Sequence, residues 1–178
     1  MYRHILIPTD GSELAEHGVS HGLALAKSLG ARVSVIFVVE PFSEMTGRFV
    51  EAVARYAELR KEQAASVLDQ AAKAAKEAGV ACETMQVENS QPHQAIIAIA
   101  NDKGCDLVVM SSHGRSGLSM LLIGSVTNKV LTHAKTPCWF VSEFRSISAT
   151  EAYVPDWRCH GAGNGNGCGW SDLADTAG

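Results

Sequence analysis

The chain has 178 residues, is 46% hydrophobic and carries a formal net charge of −4 at pH 7. This length allows one domain with a sizeable core and a short additional segment. The acidic balance and the absence of a Lys/Arg cluster argue against a nucleic-acid surface. No stretch is long and apolar enough to span a bilayer, and the start MYRHILIPTDGS lacks signal-peptide features, so we expect a cytoplasmic protein.

The first predicted strand is His4–Pro8, which we expect the proline to end because proline cannot donate to a central ladder. The turn that follows has helix-start chemistry. Either Asp10, with a glutamate three residues later, or Ser12 is its cap. The next helix carries Gly18 and Gly22 on its apolar face, which indicates close packing against a sheet.

The middle of the chain supplies two further strands. The segment Ala31–Val39 is nearly continuous in β-branched and aromatic residues, which is typical of a strand buried on both faces of a parallel sheet. A long helical pattern from about Phe49 to Ala78 separates it from the weakly alternating strand Cys82–Val87.

A third helix begins near Pro92, because proline is favoured at the first helical position. The short apolar strand Leu107–Met110 follows, and after a loop and a fourth helix the strand Cys138–Ser142 completes the pattern. Strands that alternate with helices predict an α/β fold with an open five-stranded parallel sheet and helices on both faces. Three cysteines, Cys82, Cys105 and Cys138, lie in or beside strands, and we expect buried, reduced thiols.

The loop after Met110 is rich in Gly and Ser and contains the cation Arg115. Further on, Gly124 would let a ligand approach the backbone, and Ser125 is a candidate N-cap of a helix with Val126, Val130 and Leu131 on its apolar face. A helix N-terminus with a nearby cation suits phosphate. On these residues alone, a purely conformational role of the loop is equally consistent.

This loop and the turn at Asp10 both follow strands of the predicted sheet. The carboxyl ends of parallel strands lie at one edge, where ligands bind at the point at which strand order reverses. The two loops therefore predict a single site.

The spacing of Ser111, Gly114, Gly124 and Ser125 resembles the Gly-x2-Gly-x9-Gly-Ser/Thr signature of the universal stress protein family, with Ser111 in place of the first glycine. The motifs ILIPTDGS and PCWFV strengthen the resemblance, which covers roughly residues 1–143. It implies a Rossmann-like, adenine nucleotide alpha hydrolase-like domain at 1–144. Residues 145–178 are Gly-rich, and we expect a flexible tail in which Cys159, His160 and Cys168 leave a metal or disulfide open as an alternative.

The resemblance to nucleotide-binding members implies ATP, or AMP or ADP, with Mg²⁺ as ligands. On the ribose and phosphate side, the implied contacts are Pro8, Thr9 and Asp10, with the Asp10 carboxylate near the metal, and the backbone of Val38 is implied at the adenine edge. Under the nucleotide and around its phosphates, the implied contacts are Met110, Ser111, His113, Gly114, Arg115, Gly124, Ser125, Val126 and Thr127. No general base is identified, so hydrolysis is expected to be slow at most.

Three functions remain open at this point. The resemblance favours an ATP-binding stress sensor or switch. A dimeric interaction module that binds no nucleotide is the alternative, and Ser111 supports it. An adenylating or pyrophosphatase enzyme is disfavoured, because the first loop lacks an S-G-G-x-D-S or H-I-G-H-like motif. The apolar last strand, Cys138 to Val141, would be an exposed edge, and relatives pair this edge with a second copy, so we expect a homodimer.

Overall fold

The computed structural model describes residues 1–41, 50–112 and 124–141, with the backbone alone for residues 50–53. The strands are β1 His4–Thr9, β2 Arg32–Val39, β3 Cys82–Glu88, β4 Leu107–Ser111 and β5 Cys138–Val141. The helices are α1 Glu13–Leu29, α2 Val50–Ala78, α3 Pro92–Asp102 and α4 Ser125–His133. The predicted tail at 145–178, with Cys159, His160 and Cys168, lies outside the described ranges.

All five strands are parallel and form one sheet in the order β3-β2-β1-β4-β5. This confirms the predicted fold class. The chain first adds β2 and β3 on one side of β1, and then returns to place β4 and β5 on the other side. Strand order therefore reverses between β1 and β4. None of the helices in the described ranges has the length and apolar character that a membrane span requires.

The two faces of the sheet are covered by different helices. Ile5 and Ile7 of β1 face α1 and α2 and belong to the larger core cluster. Leu6, between them, belongs with Val108 to a second cluster formed with α3 and α4. Alternate residues of a strand point to opposite faces, which is why a strand covered on both sides has no polar alternation.

Helix α1 packs closely against the sheet through its glycines, as the sequence predicts. A Cβ atom built on Gly22 would lie 3.1 Å from Cγ1 of Ile7 and 3.5 Å from Cγ1 of Val109. A Cβ atom on Gly18 would lie 3.4 Å from the backbone nitrogen of Ser111. The helix thus contacts the carboxyl-terminal halves of both strands at the reversal point.

The apolar face predicted for α4 is partly wrong. Val130 is fully buried, but Leu131 is 44% exposed. The buried positions of this helix are Thr127 and Val130, three residues apart, and Val126 packs partly against the same cluster. The face that meets the sheet is centred on the Thr127–Val130 line, and Leu131 lies beyond its border.

The three cysteines in the described ranges are all free thiols, as predicted. Only Cys105 is fully buried, whereas Cys82 and Cys138 are half-buried. Burial raises the pKa of the Cys105 thiol to about 11, so this group stays protonated and unreactive near neutral pH.

Strands β1 and β4 are fastened together at their amino ends. The Asp106 carboxylate accepts hydrogen bonds from the backbone amides of Arg3 at 2.8 Å and His4 at 3.0 Å. Burial raises the pKa of this carboxyl, but the amide hydrogen bonds outweigh burial and hold the pKa below its ordinary value.

The packing of α1 on the sheet gives a first testable prediction. Gly22→Ala should lower the free energy of unfolding by about 1–3 kcal/mol, because the added methyl group meets the fully buried Ile7 side chain. Ser20→Ala, at an exposed position of the same helix, is the control and should be neutral or slightly stabilising. Urea unfolding measures both variants. A Gly22→Ala protein as stable as the control would show that α1 is not in close contact with the sheet.

Candidate functional site

The reversal point is open at the carboxyl ends of β1 and β4. The register between these strands ends at the pair Leu6–Val108, although β1 continues to Thr9. On the β4 side, the carbonyl of His4 accepts from the Asp106 amide, so even-numbered residues of β1 turn their backbone groups toward β4. The next backbone hydrogen bond from β1 to β4 would need an N–H donor at position 8, and Pro8 has none.

The same geometry corrects the prediction that proline ends β1. Pro8 remains in register with Ile36 of β2, and Thr9 with Phe37. The ladder to β2 uses the odd-numbered residues of β1, as the bond from the Arg32 amide to the Arg3 carbonyl shows. The missing N–H therefore interrupts pairing on one side of the strand only.

The turn after β1 is held by short-range hydrogen bonds. The Ser12 amide donates to Oδ1 of Asp10 at 3.0 Å, and the Gly11 amide donates to Oγ1 of Thr9 at 3.3 Å. The N-cap of α1 is Ser12, whose Oγ accepts from the Ala15 amide at 3.2 Å. Of the two capping alternatives, Ser12 is correct, and the Asp10 carboxylate instead fixes the turn at the carboxyl edge of the sheet.

Gly11 is the conformationally special residue of this turn. Its φ of +74° lies in the left-handed region, which favours glycine. A Cβ atom here would lie 2.7 Å from Cγ2 of Val67 in α2, and 3.7 Å from both Nε2 of Gln63 and Cε2 of Phe37. Helix α2 therefore lies directly against the turn that carries Asp10.

The end of β4 is joined to the end of β5 by one hydrogen bond and to the start of α4 by two. The Ser112 amide donates to the Val141 carbonyl at 2.9 Å, and the Gly124 amide donates to the Ser112 carbonyl at 2.8 Å. The Thr127 hydroxyl donates to the Ser111 carbonyl at 3.2 Å in a buried environment. The two ends of segment 113–123 are thus held together, although the segment itself is outside the described residues.

The prediction that Ser125 caps α4 is wrong. The N-cap is Gly124, which has no side chain, and Ser125 is the first helical residue. The Asn128 amide donates to the Gly124 carbonyl as the first intrahelical bond. Within the described ranges, no acceptor is found for the amides of Ser125, Val126 and Thr127. They are the positive end of the helix dipole.

The backbone of Val38 is turned toward β1. The Val39 carbonyl accepts from the Asn89 amide beyond the end of β3, and the residues of β2 alternate, so Val38 presents its amide and carbonyl to the β1 side. Strand β1 ends at Thr9, opposite Phe37. In the described part of the chain, no residue past Thr9 donates to the Val38 carbonyl.

The structure brings most of the predicted contacts to this edge, but not always by their side chains. Met110 is 6% exposed and packs in the α3 and α4 core, and the Thr127 hydroxyl is used by Ser111, so only their backbones can face a ligand. Ser111 is 7% exposed. His113, Gly114 and Arg115 lie outside the described residues.

Sequence reasoning missed Gly11, Gln63 and Ser112. The Thr-Asp-Gly-Ser turn carries a signal for Gly11, because glycine after aspartate is typical of a left-handed position. No sequence signal marks Gln63, because its contact depends on where α2 crosses the sheet.

His17 and His21 are both exposed, and no cluster of three metal-ligating side chains occurs within residues 1–41, 50–112 and 124–141.

A five-stranded parallel sheet with helices on both faces and a strand order that reverses between β1 and β4 defines a doubly wound α/β domain. The universal stress protein family matches residues 1–142, and the chain belongs to this family.

Relatives and solved structures agree with this assignment. Universal stress protein MJ0531 of Methanocaldococcus jannaschii is 35% identical over 144 residues, covering 80% of this chain and 84% of the relative. Universal stress protein YxiE of Bacillus subtilis is 31% identical over 151 residues, covering 79% and 99%. The solved structure of MJ0577 from M. jannaschii superposes with a TM-score of 0.73 at 29% identity, covering 82% of this chain and 99% of that one.

A further solved structure is a universal stress protein in complex with cAMP. It superposes with a TM-score of 0.60 at 26% identity, and covers 79% of this chain and 97% of its own.

The turn geometry predicts the effect of a methyl group at position 11. Gly11→Ala should lower the free energy of unfolding by about 2–4 kcal/mol, the sum of left-handed strain and contact with Val67. In a Val67→Ala background the added methyl has room, so the Gly11→Ala penalty should shrink to about 1–2 kcal/mol. A four-variant unfolding series measures the difference. Equal penalties in both backgrounds would contradict a contact between α2 and the turn.

Proposed function

We propose that this protein binds an adenine nucleotide, ATP with Mg²⁺ in its full form, at the carboxyl edge of β1, β2 and β4, and acts as a stress-response switch. The observation that carries the proposal is that two sets of backbone groups without a partner among the described residues lie at one edge of the sheet. They are the Val38 carbonyl on one side and the α4 amides from Ser125 to Thr127 on the other.

The adenosine side fits the Val38 backbone. Adenine presents a donor and an acceptor next to each other on its hydrogen-bonding edge, and an amino group needs a carbonyl acceptor. The Val38 carbonyl faces the space past the end of β1, where no described residue donates to it. Pro8, Thr9 and Asp10 lie on the neighbouring strand end and would line the ribose.

The phosphate side fits the start of α4. The amides of Ser125, Val126 and Thr127 supply the positive end of a helix, and Gly124 leaves their approach free of a side chain. Arg115, in the segment between Ser112 and Gly124 that also contains His113 and Gly114, would supply the cation. Asp10 is the carboxylate that would approach a phosphate-bound Mg²⁺, an ion that prefers few protein ligands.

The cAMP-bound relative supports the class of ligand, because cAMP contains the same adenosine part. Extending that ligand to ATP and Mg²⁺ rests on the uncapped α4 start and on Asp10. We assign no general base within the described residues, so a switch with slow hydrolysis is proposed rather than a dedicated ATPase.

The alternative, an interaction module that binds no nucleotide, was favoured by Ser111. Ser111 is the last residue of β4, in a strand conformation that any residue adopts, and its carbonyl accepts from Thr127. A glycine is therefore not needed at this position to end the strand.

Calorimetry with Mg²⁺ and ATP, together with mass spectrometry of small molecules released on denaturation, tests the proposal. Gly124→Val should weaken ATP binding more than about tenfold, because Gly124 has φ −55° and ψ 150°, which valine adopts, so only bulk is added at the phosphates. Asp10→Ala should weaken binding about tenfold. Asp69→Ala, an exposed carboxylate on α2, is the control for charge and should bind as the wild type does.

The same two measurements can also reject the proposal. A freshly purified protein that releases no nucleotide, and shows no heat with ATP up to about millimolar concentration, would reject nucleotide binding in favour of the interaction module.

We also propose that the protein is a homodimer through β5. This strand is at the edge of the sheet, and its Trp139 is 49% exposed. An apolar edge strand exposes unpaired backbone groups, which a second copy of the same strand would satisfy.

The dimer is tested by sedimentation at micromolar concentration. Trp139→Arg should convert the wild-type dimer to a monomer, because a charge at the centre of a symmetric contact meets its own copy. Leu131→Arg places the same charge at an exposed apolar position of α4 and should leave the dimer intact. A wild-type monomer, or a dimer that survives Trp139→Arg, would contradict assembly through β5.

A further inference from the structure

Helix α2 carries a row of side chains that lies against the carboxyl ends of both β1 and β2. The row consists of Arg60, Gln63 and Val67, and their spacing of three and four residues places them on one face of the helix. We call these three residues the α2 row. All three are half-buried.

Gln63 and Val67 of the α2 row lie against the turn after β1. A Cβ atom on Gly11 would lie 2.7 Å from Cγ2 of Val67 and 3.7 Å from Nε2 of Gln63. These two side chains therefore cover the backbone between Asp10 and Ser12. The turn has no room to move toward α2.

Arg60 of the α2 row contacts the end of β2. The guanidinium carbon of Arg60 lies 5.3 Å from the centre of the Phe37 ring, within the range of a cation–π contact. Phe37 is fully buried, pairs with Thr9 in register, and immediately precedes Val38. The ring edge also reaches toward Gly11, where Cε2 lies 3.7 Å from the Cβ position.

A hydrogen bond joins the two contacts. Nη1 of Arg60 donates to Oε1 of Gln63 at 2.7 Å. Arginine has only donors, so the Gln63 oxygen must face Arg60 and its NH₂ group is left on the Gly11 side. A set of neighbouring side chains thus runs from Phe37 through Arg60 to Gln63, whose amide group lies beside Gly11.

We propose that Arg60 and Gln63 are positioning residues of the nucleotide site. They set the distance between the turn that carries Asp10 and the end of β2 that carries Val38. The inference rests on the proposed nucleotide binding for its ligand, the adenosine part of an adenine nucleotide. Because both contacts hold the strand ends that would line the adenosine, their loss should weaken binding of both AMP and ATP, whereas a change at the start of α4 acts on the phosphates.

The test uses two variants with matched controls on the same helix. Gln63→Leu keeps the volume and removes the amide, and Arg60→Lys keeps the charge but removes the planar group that stacks on Phe37. Gln70→Leu and Arg55→Lys make the same changes at exposed positions. Calorimetry should show affinities for AMP and for ATP with Mg²⁺ that are weaker by about 3–10-fold in the first pair and within about twofold of wild type in the controls.

A double-mutant cycle separates positioning from general stability. If Gln63 acts through the Asp10 turn, Gln63→Leu should cause little further loss of affinity in an Asp10→Ala background. An equal loss in both backgrounds, or no loss in either, would overturn the inference even if the variants have lower unfolding temperatures.

A measurement without nucleotide keeps the two proposals distinguishable. In the ligand-free protein, hydrogen exchange of the Gly11 amide, which donates to Oγ1 of Thr9, should be several-fold faster in Gln63→Leu and unchanged in Gln70→Leu. Faster exchange in a protein that binds no nucleotide would reject the proposed function and retain control of the turn by α2. Unchanged exchange would overturn the positioning role.

Discussion

The site depends on one missing hydrogen-bond donor in the central strand. Pro8 keeps β1 in register with β2, yet it cannot supply the next rung to β4, and the paired register with β4 ends at Leu6–Val108. At the other end of the same two strands, Asp106 binds the amides of Arg3 and His4. The strands are therefore hydrogen-bonded at their amino ends, and their backbone pairing stops before their carboxyl ends. A reversal of strand order alone gives a crevice, and the proline keeps that crevice from being closed by backbone pairing.

Two different devices fix the borders of this opening. The border on the β4 side is fixed by backbone and hydroxyl groups. The Ser112 backbone bonds to the backbones of Val141 and Gly124, and the Thr127 hydroxyl donates to the Ser111 carbonyl. The border on the β1 and β2 side is fixed by side chains of α2 through Phe37 and Gly11. The first border is specified by the family signature and the second by tertiary packing. This division explains why the β4 border of the candidate site is easier to recognise in a sequence than the β1 and β2 border.

The fold could be predicted from the sequence because periodicity and turn residues agree along the whole domain. The nearly continuous apolar run of β2 and the small residues of α1 each indicate burial against a sheet. The errors lie where a local sequence rule is overridden by tertiary geometry. Pro8 interrupts hydrogen bonding on one side of β1 only, so the strand continues beyond it. Gly124 rather than Ser125 is the N-cap of α4, and Leu131 lies outside the buried face of that helix. In the candidate site, the sequence did not predict that the side chains of Met110 and Thr127 are buried, because their burial depends on how α4 crosses the sheet.

Ser112 occupies a position with an additional consequence. Its amide donates to the Val141 carbonyl in the edge strand β5, and its carbonyl accepts from the Gly124 amide at the start of α4. The backbone of this single residue therefore connects β5 to α4. A ligand that displaces the start of α4 would shift Ser112 and, through it, the end of β5. In an assembly built on β5, the same displacement would reach the second copy across only two hydrogen bonds in each chain. Two backbone hydrogen bonds of a single residue are thus the connection between the start of α4 and the edge strand within each chain.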